Sequence, residues 1–329
     1  MSTPAPISVV IPAYNAETFL AEAVKSAQAQ TLPVAEIIVV DDGSTDGTAA
    51  IAASLGARVI SEGHNGLSGA RNLGIRKATQ PWIALLDADD LWFPEKIEHQ
   101  WAALQQCPEA KIVCCDFQLF NASGTTLSSF FTKPDTGYQR LRKERISEQV
   151  AKIVLTNDFW GVSQFIFPSG VVMEREHLMS VGMFDVDIAY VEDVECFLRV
   201  MANSPLAVVE TPLMGYRQHA LNYSQNRLKT IQAYLAVTER MAAAPDRYPP
   251  GALAAWGAQL PMKFAEAGRL ELDAGRFREA RSFFARSLNG SWSLRTFALW
   301  LATWTSPNAF GRLISLKAFL SRSLSRSAS

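Results

Sequence analysis

The chain has 329 residues, 48% hydrophobic and 19% charged, enough for one large α/β domain and a smaller appendage. A formal net charge of -1 speaks against wholesale nucleic-acid binding. The four cysteines, Cys107, Cys114, Cys115 and Cys196, form no CxxC pair and have no histidine at metal-ligand spacing, which argues against a disulfide framework or a zinc site.

Met1 to Pro6 hold neither a basic stretch nor a long apolar core, against a signal peptide. No stretch reaches the ~18 uninterrupted apolar residues of a membrane span, so the chemistry is expected in the cytoplasm. Ile7 to Ile11 is a β-branched run ended by Pro12, which has no N–H for a sheet ladder. Phe19, Leu20, Ala23, Val24 and Ala27 then recur at helical spacing up to Pro33. Glu36 to Val40 is a second strand, apolar on both faces as in a buried parallel sheet. Gly43 to Thr48 is a turn with helix-capping residues, followed by an alanine-rich helix to Leu55. Arg58 to Ile60, a helix over Gly69 to Lys77, and Trp82 to Leu86 complete a βαβαβαβ series, predicting an open doubly wound, mostly parallel sheet.

Acidic clusters stand at the ends of these strands and beyond: Asp41-Asp42, Asp87-Ala88-Asp89-Asp90 and Glu192-Asp193. Carboxylates so dense repel one another unless a cation or a proton transfer uses them, and open α/β sheets bind ligands at the carboxyl ends of their strands. A dinucleotide fold would need GxGxxG in the first strand-to-helix turn. The turn here is Pro12-Ala13-Tyr14-Asn15, too bulky for a pyrophosphate but able to wall a flat base.

Val9 to Asn15, Ile38 to Asp46, Asn65 to Gly74 and Leu86 to Asp90, in this order, resemble the successive motifs of family 2 glycosyltransferases with the A-type fold. With the later motifs the resemblance covers residues 7 to 225. It implies an inverting enzyme that uses a nucleotide-diphosphate sugar, a UDP-sugar first, and a divalent cation, Mn2+ or Mg2+. Adjacent phosphates that gain charge on leaving call for a cation held by hard oxygen ligands. By resemblance Asp89 binds that metal, Asp87 helps hold the ribose and metal shell, and Ala88 lies between them in the donor site. Asp90 is either a substitute ligand or an acidic cap of the helix after Pro94.

The resemblance assigns base recognition to Pro12, Ala13, Tyr14 and Asn15 and to Asp41 or Asp42, between which the sequence does not decide. Ser44, Thr45 and Asp46 read as turn and cap residues. Arg71 is expected near the donor's diphosphate or base, while Asn72 and His64 fit loop or capping roles. Lys111 to Asp116 is a further buried strand, with Cys114 and Cys115 as small core residues. Asn121 to Glu148 is polar and without period, an excursion expected to shape the acceptor site. Phe167 to Met173 re-enters the core, with Ser169 and Gly170 expected to line the acceptor side.

Tyr190 to Arg199 carries the family's base motif. Asp193 matches the carboxylate that accepts the acceptor's proton, and Glu192 orients it or the acceptor. The same acids suit a helix N-terminus. In the final motif, Tyr216 to His219 with Asn222 and Ser224, His219 matches a donor-phosphate or metal ligand, and Arg217 is placed to assist.

From residue 228 the composition changes, and 228–329 is expected to form a helical C-terminal region after a catalytic domain over 1–227. Ala265 to Leu288 resembles one tetratricopeptide-like helical hairpin. Beyond Glu279 there is no acidic residue, whereas Arg281, Arg286, Arg295, Arg312, Lys317, Arg322 and Arg326 interleave with Phe297, Leu299, Trp300, Leu301, Trp304, Leu313, Ile314, Leu316, Phe319 and Leu320. Two readings stand: an interfacial helix pair on the anionic inner face of a membrane, or a helical cap with a solvated basic face. The expected acceptor is a hydroxyl of a glycan or lipid-linked saccharide in bacterial surface-polysaccharide synthesis. The alternatives are a silent nucleotide-sugar or glycan-binding module, and a nucleotidyltransferase, whose Gly- and Lys/Arg-rich triphosphate loop is missing.

Overall fold

The computed structural model describes residues 3–133, 138–153, 165–220 and 226–304. The expected Asn222 and Ser224, and the tail residues from Arg312 through Ser329, lie outside them.

The four expected strands form as β1 (Ala5–Ala13), β2 (Val34–Asp41), β3 (Arg58–Ile60) and β4 (Trp82–Leu85). Helices α1 (Leu20–Gln28), α2 (Thr48–Ser54) and α3 (Gly66–Lys77) connect them, in parallel order β3-β2-β1-β4. Val9, Val10, Ile11, Ile38 and Val39 are fully buried, because helices cover both faces of a parallel sheet. Gly74 of α3 meets the sheet so closely that an added Cβ would stand 2.4 Å from a Val10 methyl. Only glycine permits that approach.

The short β5 (Leu91–Trp92) and α4 (Lys96–Gln106) follow. Strand β6 (Ile112–Asn121) runs five residues past the apolar core that marks it in sequence, into a hairpin with β7 (Gly124–Leu127). Then come β8 (Lys143–Arg145), β9 (Val150–Ile153), a 3-10 turn at Pro168–Gly170, β10 (Val171–Glu174), α5 (Arg175–Ser180), α6 (Glu192–Val200) and β11 (Leu206–Arg217). The sheet continues β4-β10-β6-β11-β9-β8 and is mixed: β10 is antiparallel to both neighbours, while the long β6–β11 register is parallel.

Helices α7 (Arg227–Ala243), α8 (Ala252–Gly257), α9 (Leu260–Asp273), α10 (Phe277–Gly290) and α11 (Leu294–Ala302) complete the described chain. The residues fall into two compact units. One joins those before Asn226 with Ala236–Trp256, and the other joins Asn226–Leu235 with those from Gly257 onward. In the second unit α9 and α10 pack as a hairpin, with Phe284 fully buried against Gly268, where a Cβ would come within 2.6 Å of the ring.

Candidate active site

Because β1, β2 and β4 are parallel, their carboxyl ends lie at one edge, and the loops after them form one mouth. The first two loops are tied together. Asn15, left-handed at φ 47°, receives the Thr45 N–H at 2.9 Å on its side chain, and its own N–H donates to Ser44 Oγ at 2.9 Å. Asp46 accepts from Thr48 N at 3.0 Å and Glu17 N at 3.2 Å, so Ser44, Thr45 and Asp46 are structural, as their turn chemistry indicates.

Asp41 accepts from Ser44 N at 3.1 Å and Ser61 Oγ at 3.4 Å. Asp42 turns away from the first loop and takes the Asn65 and Gly66 N–H groups at 2.7 and 2.8 Å, fixing the start of α3. Tyr14 is 53% exposed, with its ring centroid 4.9 Å from that of His64. His64 Nδ1–H donates to the Asp42 carbonyl at 2.6 Å, which fixes its tautomer when neutral. Pro12 and Ala13 are buried residues at the end of β1.

Arg71 is 1% exposed and lies below the site. Its Nη2 donates to Asp87 Oδ1 at 2.8 Å, its Nη1 to Glu192 Oε1 at 2.7 Å, and its guanidinium sits 5.2 Å over the Phe184 ring. The buried Nε has no partner. Burial works to lower its pKa, but Asp87 and Glu192 outweigh that and raise it, so it is a fixed cation. Asn72 beside it exchanges hydrogen bonds with both backbone groups of Phe184, at 2.7 and 2.9 Å.

Asp89 Oδ2 meets His219 Nε2 at 2.9 Å. Burial and the Asp87 charge push the Asp89 carboxyl upward, against the His219 contact. Asp90 is neither exposed nor a helix cap: Glu95 holds the cap position of α4. Asp90 accepts from Ser169 Oγ at 2.6 Å and from Arg217 N at 3.0 Å, and burial first, then Asp89 and Asp87, raise its pKa well above the usual carboxylate range. Ser169, expected on an acceptor surface, is fully buried; its hydroxyl also receives the Asp87 N–H at 3.0 Å, so it braces the acidic loop from beneath. Gly170 is buried with it.

Arg217 reaches the Asp89 carbonyl at 2.8 Å and Glu22 at 2.8 Å, and Phe19 stacks near both Arg217 and His219. Glu22 and Phe19 had no signal in sequence beyond helical spacing. Their contacts are long-range.

Glu192 and Asp193 open α6, where the acids complement the helix dipole. The cap residue Val191 is left-handed at φ 56°, a strained geometry for a β-branched residue that recurs mainly at functional sites. Burial raises the Glu192 carboxyl while Arg71 opposes. The half-buried Asp193 is pushed up to about 7 by burial and by the Glu192 charge. A carboxyl poised there can accept a proton near neutrality.

Among the described residues no group of three or more His, Cys, Asp and Glu side chains is arranged to hold a metal ion alone. The Asp89–His219 pair supplies one hard and one borderline donor, and the charge crowding at Asp87 and Asp89 is of the kind a cation relieves.

The family model described as glycosyl transferase family 2 matches residues 8–165. A Rickettsia typhi protein described as an uncharacterized glycosyltransferase is 30% identical over 234 residues, covering 70% of each chain. The putative glycosyltransferase EpsH of Bacillus subtilis is 29% identical over 252 residues, 74% of this chain and 70% of its own. Among solved structures, S. aureus TarS 1-349 in complex with UDP-GlcNAc superposes with TM-score 0.58 at 16% identity, over 90% of this chain and 79% of that one. The mannosyltransferase PcManGT from Pyrobaculum calidifontis, in complex with GDP-Man and Mn2+, gives 0.55 at 19% identity, over 95% and 83%.

The likeness to these two structures is one of fold, the A-type fold. The chain belongs to glycosyltransferase family 2.

Proposed function

We propose that this glycosyltransferase is inverting and metal-dependent, and moves a sugar from a nucleotide diphosphate, UDP-sugar first, to a hydroxyl of a glycan or lipid-linked saccharide in bacterial surface-polysaccharide synthesis. The observation that carries this reading is Arg71: by holding Asp87 and Glu192 at once, it brings the acidic loop after β4 and the acidic start of α6 to one site.

Tyr14 and His64 wall the base, with Pro12, Ala13 and Asn15 as backbone edge and Asp41, rather than the loop-committed Asp42, as base acceptor. Asp193 takes the proton of the acceptor hydroxyl as its oxygen attacks the anomeric carbon; the bond from that carbon to the diphosphate oxygen breaks on the opposite face. Glu192, paired to Arg71, orients Asp193. Asp89, with Asp87 and His219, would hold a divalent cation, Mn2+ or Mg2+, which when bound stabilises charge on the departing diphosphate. Arg217, the last residue of β11, ties the Asp89 backbone to the segment that carries His219. Neighbours in complex with UDP-GlcNAc and with GDP-Man and Mn2+ support the donor class and the metal.

For the second unit we propose peripheral contact with anionic membrane. Trp292, Leu294 and Trp304 on and beside α11 are 68%, 70% and 61% exposed, and the Arg281 guanidinium lies 3.6 Å over the Trp304 ring. No described helix is long and apolar enough to cross a membrane, so the contact proposed is interfacial.

The test is thermal stabilisation by UDP- and GDP-sugars with and without Mn2+. A UDP-sugar should raise the melting temperature most, and only with metal. A metal-independent shift, or none with any nucleotide sugar, contradicts the proposal.

A further inference from the structure

Residues 236–256 follow the family's last motif, yet they pack with the catalytic unit and converge on the turn that carries Asp193. Val237 and Met241 of α7 are fully buried. From the same helix Arg240 pairs with Asp185, and its Nη2 stands 3.5 Å from Asp187; both acids lie in the loop that leads to Val191. Tyr248, itself buried, donates its hydroxyl to Glu195 Oε1 at 2.6 Å, two residues past Asp193.

Glu195 in turn is gripped by Arg199 at 2.8 and 2.6 Å, and Arg199 donates to the carbonyls of Val181 at 2.6 Å and Met183 at 2.5 Å. Arg247 Nη2 reaches the same Val181 carbonyl at 3.3 Å. Met183, like Val191, is left-handed, at φ 56°, so the loop before α6 is held at both ends in a conformation its residues disfavour. Strain of this kind persists only where surrounding contacts over-determine it.

We propose that residues 236–256 form a clamp whose Arg240 and Tyr248 are positioning residues for the reaction: through Asp185, Asp187 and the Glu195–Arg199 pair they hold the Val191 turn and so fix where the Asp193 carboxylate points. The proposal rests on Asp193 being the base. It extends the functional unit past the last sequence motif, since a chain cut after residue 227 loses the clamp while keeping every motif.

The test compares Tyr248→Phe, which removes one hydroxyl and keeps the ring, and Arg240→Gln, at a half-exposed side chain, with Arg240→Lys as the conservative rescue. Small misplacement of a reacting group costs on the order of 10- to 100-fold in rate. Tyr248→Phe and Arg240→Gln should therefore lower kcat by about tenfold or more with donor KM within about twofold. Their acid limb in kcat/KM should move to lower pH as water reaches Asp193, and Arg240→Lys should recover part of the kcat. Wild-type kcat and pH profile in both variants overturn the clamp, as does a loss that only tracks a lowered melting temperature. Near-normal turnover in Asp193→Asn overturns the base assignment instead, so the two failures are distinguishable.

Discussion

Arg71 Nη1 donates to Glu192 Oε1 at 2.7 Å across 121 positions of sequence, with both side chains buried. The second guanidinium arm goes to Asp87, so one cation serves both the loop after β4 and the start of α6. A buried charge that loses its partner costs about 3–5 kcal/mol, and here two carboxylates depend on the same arginine.

Arg71→Lys keeps the charge but cannot fork to both acids. It should fold, bind donor, and lose at least about tenfold in kcat. Arg71→Met should lower unfolding free energy by about 3–5 kcal/mol in urea melts. A lysine variant with wild-type kcat contradicts the bridging role.

As the proposed base, the Asp193 carboxyl, pushed up to about 7 by burial and the Glu192 charge, must be deprotonated to act. Thus kcat/KM should fall with unit slope as pH drops through about 7 and level off above it. The same raised pKa has a stability consequence of opposite sense. The group stabilises the fold below its ordinary 3.8, and that contribution is lost as pH rises to about 7. Asp193→Asn should therefore melt higher than wild type at about pH 8, the difference vanishing near about pH 4. A pH-independent difference in melting temperature contradicts the shift.

Asp89→Ala should abolish transfer and weaken donor binding, and His219→Ala should raise the metal concentration needed for half-maximal rate. EDTA should silence the wild type, with Mn2+ or Mg2+ restoring it. Full activity in EDTA removes the metal from the account.

Removing the chain after Gly290 should reduce binding to anionic vesicles, and so should high salt acting on the full chain. Unchanged vesicle binding leaves α11 as a helical cap.

The alternation of β1 through β4 with α1 through α3 is legible in sequence because it is local: apolar runs, Pro33 as a stop, and glycines where backbones meet. The sequence ends the first strand at Pro12, whereas β1 runs on through it to Ala13. Asp89, Asp193 and His219 stand out through motif chemistry. What sequence conceals depends on long-range burial. Ser169 reads as an acceptor-facing residue until the fold puts it beneath Asp87 and Asp90. Arg71 reads as a donor ligand, yet its depth is set by Phe184 and Glu192, far along the chain. Arg240 and Tyr248 carry no motif, and only packing brings Arg240 to the loop before α6 and Tyr248 to α6 itself.

The proposed reaction is a single displacement at the anomeric carbon with Asp193 as base. The most direct measurement is product configuration by NMR, run beside turnover of Asp193→Asn. The product anomer should be inverted relative to the donor, and the variant should keep donor and metal affinity while turnover falls by about 100-fold or more. A retained configuration, or near-normal turnover in the variant, contradicts it.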